Sequence, residues 1–141
     1  MDMEQTLRGI ATGVRSWAEE YARSHPEQPF DLDLGGMCGI ASARIHRLCE
    51  TAGLEPLLHV SANDSHMFVT CAGFLVDVTA TQFREASPVI VRPYANAPSE
   101  PDYWRTGRTY ASVSEAKSYQ VDADWPFEQL ILSHVEPAAV M

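Results

Sequence analysis

His66-Met67-Phe68-Val69-Thr70-Cys71-Ala72-Gly73-Phe74-Leu75-Val76-Asp77-Val78-Thr79 is the stretch that decides how this chain folds. Two runs rich in Phe, Val, Leu and Thr flank a short glycine-containing connection, the pattern of two strands joined as a β-hairpin. If Ala72-Gly73 is a two-residue turn, Cys71 lies opposite Phe74 and Phe68 opposite Asp77. Side chains alternate along a strand, so His66, Phe68 and Asp77 then share one face of the sheet, with His66 and Asp77 as diagonal neighbours. A four-residue loop would set them directly opposite and keep the same parity; only a bulge would break it. Asp77 carries the most weight. A carboxylate within so apolar a strand costs on the order of several kcal/mol unless it has a partner, and His66 is the partner the register supplies.

Upstream, Leu57 to Ser61 reads as a further strand, with Asn63-Asp64 as the turn into His66. Before it, Cys38 to Ala52 reads as a helix with Ile40, Ile45, Leu48, Cys49 and Ala52 inward, and Gly53 suits its C-terminal cap. Glu4 to Ser24 places Leu7, Ile10, Val14, Trp17, Ala18 and Tyr21 on one stripe at helical spacing, giving an amphipathic first helix that ends before His25-Pro26. The loop from Glu27 to Met37 carries Pro29, Asp31, Asp33 and two glycines. Downstream, Val89 to Val91 reads as a strand, Val113 to Ser118 as a short helix, and Phe127 to Ser133 as a last helix or strand. The expected fold class is α+β: a helix bearing Cys38 packed on a small antiparallel sheet bearing His66 and Asp77, the first helix covering one side. The chain reads as one domain over residues 1–141: an N-terminal helix and loop over 1–34, a core over 35–83, and an extension over 84–141 whose structure the sequence leaves open.

Cys38 stands behind Gly35-Gly36-Met37 at the start of its helix. A thiol there meets unsatisfied backbone N–H groups and the positive end of the helix dipole, both of which favour the thiolate. The glycines allow a close approach and leave room beside the sulfur. With His66 as base and Asp77 as the acid that orients it, the three read as a nucleophile, a base and an orienting group. The backbone N–H of Cys38 can supply one half of an oxyanion hole, with Gln82 or Asp33 as candidates for the other; Asn63 and Asp64 are further candidates for supporting roles. Singly, each residue has an ordinary structural explanation, a small core thiol or a satisfied polar group. Jointly they favour chemistry.

Other residues fit core or surface roles. Cys49 and Cys71 fall at inward helix and mid-strand positions, His46 lies among Arg44, Arg47 and Glu50 on what reads as a solvated face, and His59 fits either face of its strand. Three cysteines without paired spacing indicate neither a disulfide framework nor a zinc site, and no cofactor or metal is expected. The formal charge of −9, with Lys117 as the single lysine, argues against nucleic acid or an anionic membrane as the main partner. The acidic start Met1-Asp2-Met3-Glu4-Gln5 lacks the pattern of a signal peptide, and no apolar run approaches a membrane span, so the expected location is cytoplasmic.

At these residues the sequence resembles the papain-like superfamily in its circularly permuted, transglutaminase-like branch. That family carries a cysteine at a helix start, then histidine and aspartate on successive strands. Here the matching residues are Cys38, His66-Met67-Phe68 and Val76-Asp77-Val78-Thr79, followed by Ala80-Thr81-Gln82-Phe83 in the manner of several bacterial and phage members. Gly35-Gly36-Met37-Cys38 and Leu75-Val76-Asp77-Val78 also resemble the arylamine N-acetyltransferases, which are about twice as long. Phe68 stands where many relatives have tryptophan, and the short interval from Cys38 to His66 implies a trimmed sheet. The resemblance covers about residues 35–83 and implies a thiol hydrolase acting on an amide bond of a protein or peptide: a protease, an amidase, or a glutamine deamidase of the kind delivered into another cell as an effector. Alternatives are an acyltransferase or transglutaminase with an amine acceptor, and a non-catalytic binding or inhibitor module with an inherited triad. The expected partner is a protein or peptide substrate; the oligomeric state is left open.

Overall fold

The computed structural model describes residues 2–24, 34–35 and 37–120, with side chains through residue 116. In chain order they form helix α1 (Met3–Ser24), helix α2 (Cys38–Thr51), strands β1 (Leu57–Ser61), β2 (Met67–Cys71), β3 (Phe74–Asp77) and β4 (Ile90–Pro93), strand β5 (Thr106–Tyr110) and helix α3 (Val113–Gln120). Short 3-10 helices at Ala80–Phe83 and Asp102–Trp104 follow β3 and precede β5. The strands make one antiparallel sheet in the order β4-β3-β2-β1-β5. The fold class is therefore α+β.

The hairpin forms about Ala72-Gly73 as a two-residue turn, with Cys71 opposite Phe74 and Val69 opposite Val76. Ala72 (φ 53°) and Gly73 (φ 83°) both lie in the left-handed region, the requirement of the type I′ turn whose twist suits a hairpin. No bulge interrupts β2 and β3, so the alternation runs unbroken to Asp77. There β3 ends, because the Asp77 carboxylate accepts the Thr79 N–H at 2.9 Å and turns the chain into the 3-10 helix.

The sheet separates two layers. On one face Leu58, Val60, Met67, Val69, Val76, Val78 and Val91 pack against Leu7, Ala11 and Val14 of α1 and Ile40, Ala41 and Ile45 of α2. The helix register is close to the expected stripe, with Ala11 taking a core position and Ile10 and Trp17 only partly buried. Two arginines of α1 tie it to the chain beneath: Arg8 donates to the Val91 carbonyl at 2.8 Å, and Arg15 to the Val78 carbonyl and Thr81 Oγ1 at 2.9 and 3.0 Å. On the other face Phe68, Leu75, Ala80 and Trp104 form a second, smaller core.

Helix α2 differs from expectation along its length. Leu48 and Ala52 are exposed, not inward, while His46 is fully buried and not on a solvated face. The turn of the helix toward the chain beyond β5 is the reason: His46 Nε2 hydrogen-bonds the Ala111 carbonyl at 3.0 Å and Nδ1 lies 3.5 Å from Glu50. The helix closes as expected on Gly53 (φ 81°), whose N–H donates to the Glu50 carbonyl while Leu54 N–H donates to Cys49, each at 2.9 Å. That is the Schellman arrangement of two reverse bonds that satisfy the last carbonyls.

The extension after Phe83 builds both edges of the sheet. Strand β4 corresponds to the expected Val89–Val91 and α3 to Val113–Ser118, whereas no sequence pattern predicts β5; the Phe127–Ser133 element lies outside the described residues. Strand β5 presses on the loop before His66. A Cβ on Gly107 would sit 2.8 Å from Ala62 Cα and 3.0 Å from the Ser61 carbonyl, both backbone atoms with no freedom to swing aside. Gly107→Ala is expected to destabilise the chain by about 1–3 kcal/mol in urea unfolding, and an unchanged midpoint would show that the two segments separate easily.

Among the described residues no helix is long and apolar enough to cross a membrane.

Candidate active site

His66 sits where the β1–β2 loop enters β2, and that loop is fixed by side chains. Ser61 Oγ accepts the backbone N–H groups of Ser65 and His66, each at 3.1 Å, and donates to Asn63 Oδ1 at 2.8 Å. Asn63 thus secures the loop, while Asp64 reaches outward to Arg108 at 2.6 Å. From this anchored position the imidazole, with no exposed surface, meets Asp77 across the hairpin: Nε2 lies 2.7 Å from Oδ2. The diagonal pairing read from register is present.

Asp77 is 2% exposed and surrounded by donors. Oδ2 takes His66 Nε2 and the Trp104 Nε1–H at 2.8 Å; Oδ1 takes the Thr79 N–H at 2.9 Å and Thr79 Oγ1 at 3.3 Å. Burial pushes the carboxyl up, but the facing charge of His66 and this set of hydrogen bonds outweigh it, so Asp77 titrates below its ordinary value. Burial likewise disfavours a charged imidazole. The carboxylate of Asp77, with a smaller contribution from Cys38, overrides it and raises His66 to about 10. An imidazolium at neutral pH follows.

With Nε2 committed to Asp77, Nδ1 is the ring nitrogen left for the sulfur. It is buried and makes no hydrogen bond, while Cys38 is near enough to act electrostatically on the imidazole. Cys38 is the first residue of α2 and 6% exposed. The residue ahead of it, Met37, offers no side-chain oxygen to cap the helix, so the sulfur lies beside N–H groups that no side chain of the cap position satisfies. The thiol comes from a helix start, the imidazole from a strand entrance and the carboxylate from the end of the neighbouring strand.

The imidazole lies among aromatic rings. Phe83 meets its plane edge-on at 4.9 Å, Tyr103 does so at 6.5 Å, and these two stack on each other at 4.4 Å. Tyr103 also donates its hydroxyl to Glu85. Nothing in the sequence singles out Trp104 or Tyr103. Their signal is three-dimensional, since they stand far along the chain in a segment without apolar periodicity.

Of the candidates for supporting roles, Gln82 gives an amide N–H to the Thr79 carbonyl at 2.9 Å and holds the 3-10 helix; Asp33 lies outside the described residues. His59 faces the same side as His66. Its two nitrogens meet Thr109 Oγ1 at 3.1 Å and Thr70 Oγ1 at 2.6 Å, its ring stacks on Phe68 at 5.0 Å, and burial drives it down to about 4, a neutral core imidazole. Cys49 and Cys71 are buried free thiols that interact with each other; burial pushes Cys49 up to about 12 and raises Cys71. Among the described residues no three His, Cys, Asp or Glu side chains converge as a metal site. Compared with protein-family models, curated proteins and solved structures, the chain finds no match.

Proposed function

We propose that this protein is a thiol hydrolase of the papain-like, transglutaminase-like kind, acting on an amide bond of a protein or peptide. The observation that carries the reading is the fully buried imidazole of His66, bonded at Nε2 to the satisfied carboxylate of Asp77, with its Nδ1 free of any hydrogen bond and the thiol at the start of α2 within electrostatic reach. A structural role explains a buried ion pair; it does not explain why the remaining imidazole nitrogen is left to a thiol at a helix N-terminus.

In this reading the Cys38 proton resides on His66 and the sulfur adds to the carbonyl carbon, while the Cys38 N–H faces the developing oxyanion. The tetrahedral adduct collapses as His66 gives its proton to the departing amine nitrogen and the C–N bond breaks, leaving a thioester. Neutral His66 then takes a proton from water, whose oxygen attacks the thioester and releases the acid. The sulfur leaves as thiolate beside a recharged imidazolium. Asp77 holds the ring in the tautomer and plane that both proton transfers need.

Limited treatment with iodoacetamide at neutral pH, followed by peptide mapping, is expected to label Cys38 at least about tenfold faster than Cys49 or Cys71, because burial keeps the latter two as thiols. Preferential labelling of Cys49 or Cys71 would sink the assignment. Mass spectrometry of products formed from a peptide library, with and without an added primary amine, separates hydrolysis from acyl transfer. Absence of any thiol reactivity at Cys38 would favour a binding module.

A further inference from the structure

We propose that Trp104 is a positioning residue of this site: its indole N–H fixes the Asp77 carboxylate, and through it the plane of the His66 ring. The proposal rests on the reading of Cys38, His66 and Asp77 as a catalytic unit. Asp77 Oδ2 receives two donors, His66 Nε2 at 2.7 Å and Trp104 Nε1 at 2.8 Å, while Oδ1 is held by Thr79. A carboxylate clamped on both oxygens cannot turn about its last torsion, so the hydrogen bond to His66 points one way only. The indole has a donor and no acceptor. Its bond to the ionised carboxylate is stronger than the one it could make to the protonated acid, and this difference favours the mobile proton on the imidazole.

The indole is itself held in place. Trp104 is 3% exposed, and its carbonyl accepts the Tyr94 hydroxyl at 2.6 Å. The Arg92 guanidinium lies over the ring, 5.0 Å from its centroid, and is fixed there by two bonds to Glu100 at 3.1 and 2.6 Å. A cation on the π face draws electron density from the ring and strengthens the N–H as a donor. A line of contacts thus runs from the Arg92–Glu100 pair through Trp104 to Asp77 and His66. Apolar filling alone, alongside Phe68, Leu75 and Ala80, would have been met by phenylalanine.

Trp104→Phe in the full chain keeps the ring and removes the donor. The carboxyl titration of Asp77, followed by NMR with ¹³C-labelled aspartate, is expected to move up by about one pH unit, the loss of one charge-assisted hydrogen bond. Iodoacetamide alkylation of Cys38 at neutral pH should fall about tenfold, with the circular dichroism spectrum retained. A carboxyl titration that stays put, or one that moves while alkylation is unchanged, overturns the proposal. His66→Gln separates the two ideas: if it leaves alkylation unaltered, the catalytic reading fails, whereas a loss in His66→Gln with none in Trp104→Phe removes only the role of Trp104. Should Trp104→Phe not fold, the indole ¹H–¹⁵N signal of the unaltered chain serves instead. It is expected to shift as His66 titrates, and a signal constant through that titration refutes the link.

Discussion

Asp77→Asn is expected to reduce turnover of an amide or activated ester substrate by up to on the order of 10⁴ while leaving the fold in place. The cause lies in the four donors around this side chain. Thr79 N–H and Thr79 Oγ1 face one oxygen, and Trp104 Nε1–H and His66 Nε2 face the other. An amide has a single acceptor to divide among them. The backbone N–H of Thr79 cannot turn away, so the Asn oxygen settles there and its NH₂ group points at His66 and Trp104. His66 must then accept at Nε2 and carry its proton on Nδ1, where it can no longer receive one from Cys38. Two donors left face to face, the indole and the amide, add a stability loss of about 1–3 kcal/mol. Turnover and the thermal midpoint measured together check both parts; near-full activity in this variant would remove Asp77 from the mechanism.

The second large effect is a dependence of stability on pH that belongs to His66. Its value is raised from 6.5 to about 10 on folding, so its contribution is fully present below about pH 6.5 and is lost as pH rises toward 10. Over the two units from pH 6.5 to 8.5 the loss should reach about 2–3 kcal/mol, one proton's worth of slope. Other groups fall outside this window. Burial lowers His59 to about 4 and lowers His46, so their contributions are lost on the acid side, as pH falls below 6.5; Cys49 and Tyr103, both pushed up to about 12, lose theirs at strongly alkaline pH. Asp77, titrating below its usual value, adds stability that is present above about pH 3.8 and lost as pH falls through its folded value. Urea unfolding of the wild type and of His66→Gln across pH 6.5 to 8.5 checks the assignment. The variant is expected to be weaker throughout but flat, and an equal slope in both would assign it to another group.

The hairpin and the helix start are legible in the sequence because each is a local statement. Register follows from the turn length at Ala72-Gly73 and from strand parity, so the pairing of His66 with Asp77 follows from the order of residues alone. The cap at Gly53 is legible for the same reason. His46 is not, since its burial depends on Ala111, which a long excursion of chain returns to α2. Strand β5 escapes because Thr106–Tyr110 is mostly polar and exposed, an edge with no alternation to betray it. Trp104 escapes for a related reason: nothing in Asp102-Tyr103-Trp104 tells which buried acceptor its indole will find.

Helix α2 and strand β2 run in the same direction, and two contacts mark their ends: Cys38 with His66 at one, Cys49 with Cys71 at the other. From Cys38 to Cys49 the helix climbs about 16 Å at its usual rise. From His66 to Cys71 the strand covers about 17 Å. Eleven helical steps and five extended ones thus make equal lengths, and the thiol pair acts as a built-in gauge at the far end of the site. One residue inserted into the helix between the cysteines would turn the near end by about 100° and displace it by about 1.5 Å, while one inserted into the strand would send His66 to the opposite face. The two contacts together thus fix how many residues each segment can hold between its ends.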